Sequence, residues 1–293
     1  MSETASDLVA AHRSGAASPE QTLRRCYERI RAYGDPAVFI TLREETEALA
    51  EVRALMAAGP EGKPLYGVPV AVKDNIDVAG LPTTAACPAF AFTAGADSTA
   101  VTRLRRAGAI VIGKTNLDQF ATGLVGVRSP YGAPRNPFRD DLIPGGSSSG
   151  SAAAVAAGLV PIALGPDTAG SGRVPAGLNN IVGLKPSVGL VSTTGVVPAC
   201  RSLDCVSIFA LTVDDAFAVL QAMAIPDASD PYSRVMAVGT LGAAPPATTI
   251  AVPDANGRLF FGDASSEQSF QTAIELLRGI GATIREIDIS QSL

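Results

Sequence analysis

The sequence predicts an α/β fold built around a mostly parallel or mixed sheet. Short runs rich in β-branched residues alternate with segments of helical periodicity along most of the chain. That alternation is what strands with helical crossovers leave in a sequence. The chain has 293 residues, 47% apolar and 17% charged. This suits a globular molecule with a sizeable core and lies far from the disordered range.

The elements follow in order. Residues 1–60 read as a helical N-terminal layer. Ser18-Pro19-Glu20-Gln21 has a capping serine, a proline at the first helical position and a glutamine three after the cap. Leu23, Cys26, Tyr27 and Ile30 then recur at helical spacing. A second helix is expected over Arg43–Ala58, stopped by Gly59-Pro60. Val68–Val72 reads as a buried strand, and Asp97-Ser98-Thr99 caps a helix through Ala107. Ala109–Ile112 is a strand, after which Asn116 caps a short helix. Arg128–Gly146 is loop, Ala152–Ala157 helix, Pro161–Leu164 strand and Asp214–Ala224 helix. Pro226–Pro246 is the weakest boundary, a loop or linker. Strand, helix and strand close the chain at Thr249–Val252, Glu267–Arg278 and Thr283–Ile289.

Composition removes several functions. The net charge is −5 and no basic run occurs, so nucleic acid is not an expected partner. No apolar run reaches the ~18 residues of a membrane span, and the polar N-terminus carries no signal-peptide pattern. The four cysteines, Cys26, Cys87, Cys200 and Cys205, are too sparse for a zinc site and suit buried thiols in a reducing cytoplasm. The single histidine, His12, reads as the solvated end of a helix. A serine hydrolase built on this chain therefore needs a base other than histidine.

Three segments carry possible chemistry. Gly145-Gly146-Ser147-Ser148-Ser149-Gly150-Ser151 opens the alanine-rich helix. Such a turn gathers N–H groups that hold an anion, although a Gly/Ser run also serves as a plain linker. Leu164–Ala176 runs from a strand into a turn of small residues centred on Ser171. Successive N–H groups there are free to meet an oxyanion, with Asp167 and Arg173 placed to pair across it. The alternative is a glycine-rich turn whose serine bonds its own backbone. Val68–Asn75 ends an apolar strand on Lys73. Burial lowers a lysine pKa and makes the amine a general base; the alternative is an ion pair with Asp74.

Together the three segments resemble the amidase signature family. The resemblance rests on Pro69-Val70-Ala71-Val72-Lys73-Asp74-Asn75, Gly145–Ser151 and Gly165–Arg173 in that order, with Asn179–Pro186 matching a further stretch. It runs from about Ser18 to the end of the chain. It implies the amidase signature fold, a central mixed sheet covered by helices on both faces, as a single domain over 1–293. It also implies a catalytic triad: Ser171 as nucleophile, Ser147 as proton relay after a cis Gly146–Ser147 peptide, and Lys73 as base. The N–H groups of Thr168, Ala169, Gly170 and Ser171 would form the oxyanion hole, and Gly123 would touch substrate through its backbone. No metal and no organic cofactor is implied.

Two departures matter. Pro166 stands where the family usually has threonine and lacks an N–H. Cys205-Val206-Ser207-Ile208-Phe209-Ala210-Leu211-Thr212 replaces a stretch with a Gly-Pro pair, and with Phe260–Asp263 resembles the allophanate hydrolases of the family. This implies a small-molecule amide substrate, allophanate, in urea degradation. An amidase of other specificity, the glutaminase component of a tRNA-dependent amidotransferase and an inactive truncated scaffold are the alternatives. Family members continue past this length, which implies a C-terminus that is incomplete, with some carboxylate-binding residues beyond it. The resemblance also suggests a homodimer through the N-terminal helices.

Overall fold

The computed structural model describes residues 3–242 and 248–290. Its elements in chain order are α1 (Ala5–Ser14), α2 (Pro19–Tyr33), β1 (Phe39–Leu42), α3 (Glu45–Ala58), β2 (Pro69–Lys73) and the short β3 (Pro82–Thr83). Next come β4 (Phe92–Thr93), α4 (Thr99–Arg106), β5 (Ile110–Thr115), α5 (Ser149–Ala156), β6 (Ile162–Pro166) and α6 (Arg173–Leu178). The chain closes with β7 (Val182–Leu184), β8 (Val206–Ala210), α7 (Val213–Met223), β9 (Thr249–Pro253), α8 (Ala264–Gly279) and β10 (Thr283–Ile287).

By their contacts the residues divide into two compact units, Met1–Gly239 and Thr240–Leu293. The boundary lies within Pro226–Pro246, the stretch read as a loop or linker; residues 243–247 are outside the described residues. The second unit is a parallel pair, β9 and β10, joined through α8.

The first unit holds a six-stranded sheet in the order β1-β5-β2-β6-β8-β7. The three central strands β5, β2 and β6 are parallel, and β1, β8 and β7 join antiparallel. The sheet is therefore mixed, with helices on both faces, as expected. Side chains alternate across it with the period of two that strands impose. Val70, Val72, Val111, Ile162, Leu164 and Ile208 meet α4 and α7 on one face. Ala71, Ile110, Ile112, Ala163 and Phe209 meet α2, α3 and α5 on the other. Each fully buried Val, Ile, Leu or Phe contributes about 1.5–3 kcal/mol.

The sequence places these helices well. Ser18 caps α2 and shares a full capping box with Gln21, and Ser98 caps α4. Residues 1–60 are not purely helical, since Phe39–Leu42 forms β1 at the edge of the sheet beside β5. Three further readings need correction. His12 is buried between the Tyr66 segment and α2; its ring bonds the Tyr66 carbonyl through Nδ1 (2.8 Å) and the Thr22 hydroxyl through Nε2 (2.8 Å). Burial pulls its pKa below the usual histidine value. Asn116 caps no helix. Its side chain donates to the Ala37 and Gly132 carbonyls, and only a single 3₁₀ turn follows at Gln119–Ala121. The cysteines divide: Cys26 and Cys205 are buried, Cys87 is partly buried and Cys200 is exposed.

α1 is tied down by one side chain. Asp215, buried in the first turn of α7, accepts from the N–H groups of Ala5 (2.8 Å) and Ser6 (3.0 Å) and from the Ser6 hydroxyl. Removing it leaves the first donors of α1 without partners. D215A is expected to cost about 1–3 kcal/mol, measured as a lower urea midpoint with an unchanged m-value.

Candidate active site

Three parallel strands deliver the site. Chain leaves β5, β2 and β6 at the same sheet edge, where open α/β sheets place their ligands. β2 ends on Lys73 itself. The segment after β6 turns at Ser171, and the segment after β5 carries Asp118. The Gly/Ser turn that opens α5 inserts Ser147 and Ser148 among them.

Lys73 is wholly buried. Its Nζ lies within hydrogen-bonding distance of Ser147 Oγ (2.7 Å) and Ser148 Oγ (2.9 Å). No carboxylate pairs with it among the described residues. Asp74, the alternative partner, points to the opposite face of the sheet. There it pairs with buried Lys114 at 3.2 Å and receives the Thr84 N–H and hydroxyl. Two buried lysines on adjacent strands thus differ in one respect: Lys114 has an anion and Lys73 has only hydroxyls. Burial drives the Lys73 pKa down to about 7, opposed by the more distant charges of Asp118, Asp167 and Asp204. An amine titrating there is a competent base at neutral pH.

The Gly146–Ser147 peptide is cis, and the Asp118 N–H holds the Ser147 carbonyl at 3.0 Å. Ser171 is buried, and its carbonyl accepts the Ser148 N–H at 3.3 Å. Its Oγ makes no hydrogen bond among the described residues. The structure therefore joins Lys73 to Ser147 and sets the Ser171 turn beside them, without a bond between the two hydroxyls.

The Asp167–Arg173 pair anticipated from sequence forms. Arg173 reaches both carboxylate oxygens, through Nε to Oδ2 (2.9 Å) and Nη2 to Oδ1 (3.0 Å). Burial opposes the Asp167 charge, but these bonds and the surrounding N–H groups outweigh it and hold the carboxyl at about 2. The clamp also consumes the Gly170 N–H, which donates to Asp167 Oδ1 at 2.7 Å. The Gly170 N–H, expected among the oxyanion donors, is thus already bonded. The N–H groups of Thr168, Ala169 and Ser171 have no partner among the described residues. The Thr168 hydroxyl donates to Asp204, which fixes the start of the turn.

Pro166 does not disturb the turn. It ends β6 opposite Val206, beyond the Val72–Leu164 pair, the last between β2 and β6. Its missing N–H therefore falls where no strand waits to accept it. Gly123 lies in the loop beside Asp118 with φ of +151°, and a Cβ there would come within 2.8 Å of Asp118 Oδ2. Its own N–H and carbonyl are unbonded among the described residues.

Sequence reasoning missed Ser148 as a second partner of Lys73, the Asp74–Lys114 pair and Asp118. Lys114-Thr115-Asn116 ends an apolar strand as Lys73-Asp74-Asn75 does, and that echo was the available signal.

Residues 21–293 match the family described as Amidase, and the chain belongs to it. It is 50% identical over 296 residues to the urea amidolyase of Lachancea kluyveri, covering 99% of this chain and 16% of that protein. It is 45% identical over 231 residues to a glutamyl-tRNA(Gln) amidotransferase component of Chlorobium luteolum, covering 78% of this chain and 47% of that one. The solved allophanate hydrolase of Kluyveromyces lactis superposes with a TM-score of 0.89 at 45% identity, covering 98% of this chain and 47% of that one. The chain thus spans less than half the length of each of these relatives.

The lysine carries a stability signature. Between about 7 and the ordinary lysine value of about 10.4, the unfolded chain binds a proton at Lys73 that the folded chain does not. Native stability therefore rises with pH through that window. K73M is expected to melt no lower than the native chain at neutral pH, with any advantage shrinking toward pH ~10. Melting curves across that range check it.

Proposed function

We propose that this chain is an amide-bond hydrolase that works through an acyl-enzyme on Ser171. The observation that carries the reading is the buried Lys73 amine, 2.7 Å from Ser147 Oγ and without a carboxylate partner. A lysine held for structure alone would have been given an anion, as Lys114 has.

Ser171 Oγ attacks the amide carbonyl carbon and passes its proton through the Ser147 hydroxyl to Lys73 Nζ. The N–H groups of Thr168, Ala169 and Ser171 receive the developing oxyanion. Collapse breaks the C–N bond, and the leaving nitrogen takes the proton from Lys73 by way of Ser147. Water then attacks the acyl-enzyme, gives a proton to Lys73, and releases the acid as Ser171 recovers its hydrogen. Gly123 offers backbone groups to the substrate amide beside Ser171. Covering the site from water strengthens each of these interactions.

The substrate class that fits is a small carboxylated amide, and allophanate is the proposed member, yielding ammonia and carbon dioxide. Support comes from the Cys205–Thr212 stretch and from the identity to a urea amidolyase over 99% of this chain. The four free cysteines agree with a cytoplasmic setting. A glutaminase role is the second reading, favoured by the 45% identity to an amidotransferase component. The full-length gene product assayed side by side on allophanate, malonamate and glutamine separates them. Turnover of glutamine with allophanate untouched would remove the first reading.

A fluorophosphonate probe reads the nucleophile without assuming a substrate. Labelling is expected at Ser171, absent in S171A, and rising with pH through about 7 as Lys73 loses its proton. K73A is expected to slow labelling at least ~100-fold, the scale of general-base assistance. K73A labelling at the native rate would remove the lysine from the mechanism.

A further inference from the structure

We propose that Asp118 is a positioning residue of this site, in which one buried carboxylate both fixes the Ser147 peptide and places an unpaired negative charge within the field of Lys73. This rests on the amidase reading above and deepens it.

The first half is geometric. Asp118 lies in the segment after β5 and is wholly buried. Its backbone N–H donates to the Ser147 carbonyl at 3.0 Å. Its carboxylate gathers the loop that leads back to the same serine: Oδ2 accepts from Gly126 N (2.9 Å) and Oδ1 from Arg128 N (2.8 Å). The loop then closes on the Gly/Ser turn, with Gly146 N donating to the Leu124 carbonyl at 2.9 Å. The packing leaves no slack. A Cβ on Gly146 would strike Asp118 Oδ2 and crowd Gly126 N, and a Cβ on Gly126 would strike the Gly145 carbonyl. The carboxylate thus fills the space that the glycines leave, and the Ser147 backbone is fixed from both sides.

The second half is electrostatic. The charged groups acting on Lys73 are Asp118, Asp167 and Asp204, in that order. Asp167 is neutralised by Arg173. Asp204 is occupied by the Thr168 hydroxyl and the N–H groups of Ala199 and Cys200. Lys114, on the next strand, is neutralised by Asp74. Asp118 alone combines a leading influence on Lys73 with no cationic partner among the described residues. Only two backbone N–H dipoles offset its charge. A negative charge so placed favours the ammonium form of Lys73. It raises the basicity of the buried amine, and it stabilises the ammonium formed during attack.

The test follows the Lys73 titration itself, through the carbon-13 resonance of its ε-carbon, in the native protein and in D118N. Removing the charge is expected to lower the Lys73 midpoint by about one pH unit. Fluorophosphonate labelling of the same samples is expected to reach a lower plateau, with its pH midpoint displaced to match. An unmoved Lys73 midpoint, whatever happens to the plateau, means that Asp118 serves structure only and overturns the proposal. A native protein that never labels would count against the amidase reading, while the Lys73 midpoints still decide the role of Asp118. Should D118N not fold, the native protein carrying carbon-13 at aspartate Cγ gives the answer. The Asp118 resonance is then expected to show a step at the Lys73 midpoint, and a featureless trace there overturns the proposal.

Discussion

The whole arrangement depends on a lysine amine taken out of water and given hydroxyls where a carboxylate would ordinarily stand. Burying an ammonium ion without an anion is costly enough that the group sheds its proton instead. The protein has to supply that environment from the strongest part of its fold. It does so at the end of β2, a fully buried strand flanked by parallel neighbours on both sides. Lys114, one strand away, is the internal contrast. Both lysines are fully buried, and the choice of partner, a carboxylate for Lys114 and hydroxyls for Lys73, is what separates them.

Topology accounts for the meeting of residues far apart in the chain. Lys73, Ser147 and Ser171 converge because β5, β2 and β6 run in the same direction and release their loops at one edge. The loops are then clamped by carboxylates, with Asp167 gripping Arg173 and the turn of Ser171, and Asp118 gripping the loop beside Ser147. The Asp167 clamp takes the Gly170 N–H for itself and leaves the N–H groups of Thr168, Ala169 and Ser171 open for the anion-receiving role proposed for them. A polar turn in a buried place has to satisfy most of its own donors, and the few that stay open are the informative ones.

Much of this was legible in the sequence, for identifiable reasons. The helices announced themselves through local chemistry: the Ser18–Gln21 capping box and the Ser98 cap depend on neighbours within three residues. The parallel strands were visible as short apolar runs. What stayed hidden depended on distant partners. His12 looked solvated among polar neighbours, but its partners are Tyr66 and Thr22. β7, three residues long, is too short to show a period, and its place depends on pairing with β8. Lys73, Ser147 and Ser171 stood out because each breaks a local rule, a charge ending an apolar strand or serines crowded among glycines. Asp118 broke no rule, since an aspartate after a strand is an ordinary loop residue. Only its contacts with Gly126, Arg128 and Ser147 reveal its place.

The protonation state of one nitrogen therefore carries the account, and neutron diffraction from deuterium-exchanged crystals held well above neutral pH observes it directly. Two deuterons are expected on Lys73 Nζ, with the Ser147 hydroxyl deuteron directed at the nitrogen. Three deuterons on Nζ at that pH, with the amine donating to both Ser147 and Ser148, would contradict it.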